Sequence, residues 1–134
     1  MELLIIYPIW IVFALICGLT EAYYFSAVYN KRIKKFKYIH ELLTGIRGII
    51  AATLLYFTLG ITWKALLIGI ALMAMFSWFH NGVYYTVRDI LDCVYEWRWT
   101  AHSETSTAML DFDYNQRSWL LWFSFLLTLI SFAL

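Results

Sequence analysis

Four apolar runs organise the chain, at residues 3–29, 39–59, 63–83 and 117–134. A basic loop separates the first two and a tight turn at Leu59-Gly60-Ile61-Thr62 the next two, while a long polar segment, 84–116, precedes the last. An α-helix needs ~20 mainly apolar residues to cross ~30 Å of hydrocarbon, and each run meets or approaches that length. The pattern predicts an all-α fold: an integral membrane four-helix bundle forming a single transmembrane domain over residues 1–134, with a cytoplasmic amphipathic segment between helices 3 and 4.

Within the runs, small residues recur at helical spacing. Ala14, Gly18, Ala22 and Ser26 stand four apart and form one stripe on the first helix; Gly45, Gly48 and Ala52 form a second on the next, and Ala65 and Gly69 a third. Such stripes let helix backbones approach closely in lipid. Gly60 suits a C-cap and Thr62 an N-cap, so helices 2 and 3 are expected to form an antiparallel hairpin anchored by Trp63 and Lys64 at the interface. The third run turns polar at Phe79-His80-Asn81-Gly82-Val83-Tyr84-Tyr85. Beyond it Val87, Ile90, Leu91 and Val94 keep a helical period, with Arg88, Asp89, Asp92 and Glu96 on the other faces, which reads as an amphipathic continuation whose charges are solvated. Trp97 and Trp99 suit the interface, residues 101–113 lack periodicity, and Asp113 is placed to cap the last helix.

Composition agrees with lipid as the solvent. Hydrophobic residues make up 63% of the 134 and charged residues 14%, with mean hydropathy +0.69, whereas soluble domains carry ~25% charged residues. The net charge of +1 gives no footprint for nucleic acid. Lys31, Arg32, Lys34, Lys35 and Lys37 crowd the first loop, where they act as a topology determinant and as a candidate contact for anionic lipid headgroups. With that loop inside, Arg88, Arg98 and Arg117 are inside too and only Lys64 is outside, giving an inner-membrane protein with both termini out. Without a basic stretch before the first run, that run reads as a retained span. Cys17 and Cys93 are spaced for neither a disulfide framework nor a metal knuckle.

Candidate chemistry comes from depth. Glu21 lies about ten residues from Lys31, Arg47 about seven from His40 and His80 about eight from Arg88, so at ~1.5 Å per residue three ionisable groups on three helices share one level. Isolated charges are costly there, at ~2.5–3.5 kcal/mol on insertion scales, and Glu21 and Arg47 most economically satisfy each other. His80 and Asn81 would complete the network, with Thr44, Tyr84, Tyr23 and Tyr24 as further donors and His40, Glu41, His102 and Glu104 as candidate contributors from the loops. Two uses of this cluster stay open: a clasp that fixes helix register, or a cleft open to the cytoplasm in which Glu21 or His80 handles protons, an ion or a headgroup. A metal held by His40, His80 and His102 is a further alternative, but no His-Glu-x-x-His, Glu-x-x-His or Cys cluster supports it. No catalytic residue is identified and no cofactor is expected. Asp89-x-x-Asp92 lacks the signature that surrounds the metal-binding carboxylates of lipid-modifying enzymes and reads as a solvated helix face.

His80-Asn81-Gly82-Val83-Tyr84-Tyr85 followed by Thr105-Ser106-Thr107-Ala108 resembles small uncharacterised polytopic membrane proteins of Bacteroidetes and their phages, which carry a His-x-Gly-x-Tyr-Tyr turn before a Thr-Ser-Thr-Ala loop. The resemblance implies a bacterial or phage inner-membrane setting and no activity. The stripes offer more close-contact surface than one hairpin uses, so a homo-oligomer is expected. The function expected is a non-enzymatic pore-like effector or accessory subunit; the alternative is a membrane-embedded enzyme or lipid-binding protein using the same cluster.

Overall fold

The structure, a computed structural model, describes residues 2–36, 38–95, 98–101 and 112–133. Four helices follow one another, α1 (Glu2–Tyr29), α2 (Ile39–Leu59), α3 (Trp63–Asp92) and α4 (Tyr114–Ala133), with a 3-10 turn at Arg98–Thr100. Three of them, α1 to α3, are long and apolar enough to cross a membrane. The first turn of α4 is polar, Tyr114-Asn115-Gln116-Arg117. It is closed by a reciprocal cap in which Asp113 Oδ1 accepts from the Gln116 N–H at 2.8 Å and Gln116 Oε1 from the Asp113 N–H at 2.9 Å.

α3 is the axis of the fold. α1 lies along one side of it and α4 along another, while α2 touches it least. Trp10 donates its indole N–H to the Leu72 carbonyl at 2.7 Å and Ser26 reaches Asp92, so α1 and α3 run parallel. On α4, Tyr114 packs on Trp78 while Phe132 lies under Lys64, making α4 antiparallel to α3.

The α1–α3 seam follows a four-residue rhythm on both helices. On α1 Ile6, Trp10, Ala14, Gly18, Ala22 and Ser26 are all buried; on α3 the facing row is Leu72, Phe76, His80, Tyr84 and Arg88. Rows at this spacing are the ridges that interdigitate in close helix packing. Side-chain size falls along α1 from Trp10 to Gly18, so the aromatic cluster of Trp10, Phe13 and Phe76, with ring centroids 5.2–6.2 Å apart, gives way to near backbone contact at Gly18.

The hairpin between α2 and α3 forms as its sequence predicts. Gly60 takes φ +64° after α2, a region favouring glycine, and Thr62 caps α3 by accepting from the Ala65 N–H at 3.0 Å. The small stripe of α2 behaves differently from expectation. An added Cβ on Gly45 or Gly48 would meet nothing within 4 Å, and Ala51 is the buried residue of this helix among those described. Between α2, α3 and α4 lies an apolar groove of about 540 Å³, lined by Gly48, Ala52, Leu55, Gly69 and Phe123 among others. The hairpin holds α2 at one end, and its short residues do not fill the space beside α3.

Candidate functional site, a polar clasp between three helices

Helix rise sets the depth of each polar residue, and packing of α1 and α2 against α3 turns three of them toward one point. Glu21 on α1 is 6% exposed and His80 on α3 7% exposed. The Glu21 carboxylate pairs with the Arg47 guanidinium of α2, and the same oxygen, Oε1, lies 3.1 Å from His80 Nε2. Arg47 Nη2 stands 3.2 Å from that nitrogen. On its other side His80 Nδ1 lies 2.7 Å from Asn81 Oδ1. An amide oxygen only accepts, so Nδ1–H donates to it; in the neutral ring Nε2 is then the acceptor for Arg47.

Aromatic rings hold the imidazole in place. His80 is stacked between Phe76 and Tyr84 of its own helix, with centroids 5.1 and 6.3 Å away and interplanar angles of 22° and 9°. Arg47 lies 4.8 Å from the Phe76 ring centroid, a cation–π contact that partly replaces the hydration lost by its charge. The Cys17 thiol lies beside the same guanidinium, so this cysteine belongs to the clasp's edge. Among the described residues, Arg47 Nε is buried without a hydrogen-bond partner.

The other candidates stand elsewhere. Thr44 and Glu41 are exposed on α2, outside the clasp. His40 stacks on Phe25 with centroids 5.2 Å apart, away from His80. Tyr23 is exposed, and Tyr24 uses its hydroxyl to accept from the Phe36 N–H at 2.8 Å. Tyr84 gives the clasp its ring; its hydroxyl accepts from Arg88 Nη1 at 3.1 Å. His102 and Glu104 lie outside the described residues. Among those described, no three His, Cys, Asp or Glu side chains gather in a metal-binding arrangement.

A second polar tie lies two to three turns along the same seam. Asp92 Oδ1 accepts from Ser26 and from Asn30, each at 2.8 Å, and Asp92 Oδ2 from Arg88 Nε at 2.6 Å. Arg88 is 5% exposed and lies over the Tyr29 ring. This corrects the reading of Arg88, Asp89 and Asp92 as a solvated face: Arg88 and Asp92 sit in the α1–α3 interface, and Asp89 pairs with Arg98 at 2.9 Å. The signal is present in the sequence as two i,i+4 polar pairs, Ser26–Asn30 and Arg88–Asp92, one on each helix.

Arg117 is the other polar residue that hydropathy does not single out. It is fully buried, donates through Nη2 to the Ala101 and Trp99 carbonyls at 2.8 and 3.3 Å, and lies over the Tyr85 and Tyr114 rings. It holds the 98–101 segment against α3, where Trp99 packs on Gly82. Compared with protein-family models, with curated proteins and with solved structures, the chain gives no match.

Proposed function

We propose that this chain is a four-span protein of a bacterial or phage-encoded inner-membrane system, with both termini outside, acting as a non-enzymatic accessory subunit that assembles with copies of itself. In this reading the polar cluster is the clasp that sets the register of α1, α2 and α3. The observation that carries it is that one guanidinium ties the buried polar groups of the three helices together. The Arg47 guanidinium bridges the Glu21 carboxylate and His80 Nε2, and Asn81 takes the remaining ring nitrogen. An acid, base or nucleophile needs a face within hydrogen-bond reach of a substrate, whereas here those faces are turned inward on three helices.

Further features support the span count, the orientation and the assembly. α4 is antiparallel to α3 and packed along it, which supports a fourth crossing beside α3. Basic residues crowd the 30–38 loop, and Arg88, Arg98 and Arg117 fall at the same end of the helices, which favours that side as cytoplasmic. Gly45 and Gly48 remain open on α2 beside an apolar groove, the surface a helix of another copy would approach.

Native mass spectrometry in mild detergent, paired with dye release from liposomes holding the purified protein, tests the reading. A defined multimer that releases no dye is expected. A monomer contradicts assembly, and leakage supports a pore-like effector instead.

A further inference from the structure

We infer that the loop between α1 and α2 is a docking surface for the phosphate headgroups of anionic phospholipids. The inference rests on the reading that α1 and α2 both cross the bilayer, which sets the loop at its surface.

Residues 30–36 are tied to the end of α1 by hydrogen bonds. α1 ends with the Asn30 N–H bonded to the Ser26 carbonyl at 2.9 Å and the Arg32 N–H to the Ala27 carbonyl at 2.8 Å, and Lys31 takes the left-handed conformation at φ 57° that turns the chain out of the helix. It is then drawn back. The Phe36 N–H donates to the Tyr24 hydroxyl at 2.8 Å, and Lys35 Nζ lies 5.7 Å from the Phe25 ring centroid. Tyr24 lies five residues before the end of α1, so this bond ties the chain at Phe36 back to the last turns of that helix.

That shape sorts the side chains by chemistry. Lys31, Arg32 and Lys34 are exposed, and Ile33, Phe36 and Tyr38 are exposed beside them at 44%, 52% and 55%. Cations beside exposed apolar and aromatic groups match the boundary between lipid headgroups and acyl chains. Among the described residues, no carboxylate pairs with Lys31, Arg32 or Lys34. Asp92, the carboxylate that reaches the end of α1, is committed to Ser26, Asn30 and Arg88, and Asp89 to Arg98. Glu41 opposes five basic residues in this stretch. A phosphodiester offers oxygens for two parallel N–H donors of Arg32 and point contacts for the lysines.

The test uses the full-length protein in nanodiscs of phosphatidylcholine and phosphatidylglycerol in equal parts, ejected into a native mass spectrometer to count retained lipids by class. Phosphatidylglycerol should be retained preferentially, less so as salt rises. The preference should weaken about fivefold for each basic residue removed in K31Q, R32Q and K34Q, and persist in the charge-keeping K31R/K34R variant. Equal retention of both lipids by the wild type, or an unchanged preference in the triple glutamine variant with its helical circular dichroism intact, would overturn the proposal. Carbonate treatment of the same protein in vesicles separates this failure from that of the underlying reading. Protein stripped at alkaline pH does not span, and both readings fall; protein that stays but shows no lipid preference overturns the docking surface alone.

Discussion

Gly18 lies directly against the backbone of His80, so that a methyl group placed on the glycine would overlap the His80 carbonyl oxygen. This contact presses the α1 and α3 backbones together three residues from Glu21 on one helix and at the clasp histidine itself on the other. The absence of a side chain at Gly18 is therefore part of how the clasp is assembled. Glu21 meets the His80 ring because the backbones carrying them are pressed together.

Gly18→Ala should consequently part the seam. The obstacle is main chain that cannot rotate away, so the expected cost is about 1–3 kcal/mol, the range for overpacking. Gly48→Ala is the matched control, since a Cβ there meets nothing within 4 Å among the described residues, and it should be at least as stable as wild type, by up to about 1 kcal/mol from helix propensity. Thermal unfolding of both variants in one detergent provides the measurement. Equal transition temperatures for Gly18→Ala and wild type would mean that the seam is looser than described.

Arg117 should matter more locally than globally. Replacing it with Met keeps the length and the apolar stem but leaves the Trp99 and Ala101 carbonyls without their donor. Each buried acceptor left unsatisfied costs about 1–3 kcal/mol. Limited proteolysis of Arg117→Met should show faster cleavage between α3 and α4, with the hairpin between α2 and α3 protected as in wild type. Equal cleavage rates in variant and wild type would remove Arg117 from the role of holding this segment.

Much of the architecture is legible in hydropathy because a spanning helix is a length requirement, and Gly60 and Thr62 mark their turn through conformational preferences that act locally. Depth is legible for the same reason. Helix rise is constant, so Glu21, Arg47 and His80 can be ranked along the bilayer normal before any contact is known, and the structure brings them into one network. Azimuth is harder. Thr44 lies within a turn of Arg47 in sequence yet is exposed, because which side of α2 meets α3 depends on packing between helices. Charge at a helix end is ambiguous for a related reason. Arg88 and Asp92 look solvated when α3 is considered alone, and only Ser26 and Asn30 arriving from α1 make them interior. The α2 stripe shows the converse: Gly45 and Gly48 have the spacing for close packing, but among the described residues nothing lies within 4 Å of a Cβ placed on either.

The most direct test of the clasp is a double-mutant cycle on Glu21 and Arg47, read as unfolding free energy in mild detergent. Both side chains are largely buried, at 8% and 14% exposed, so removing one partner leaves the other as a charge with little solvent. Glu21→Gln and Arg47→Gln should each cost about 3 kcal/mol or more. The double variant should cost clearly less than their sum, with a coupling within the 0.5–3 kcal/mol found for residues in contact. Additive losses, or single variants as stable as wild type, would contradict a clasp that joins α1, α2 and α3 through these two residues.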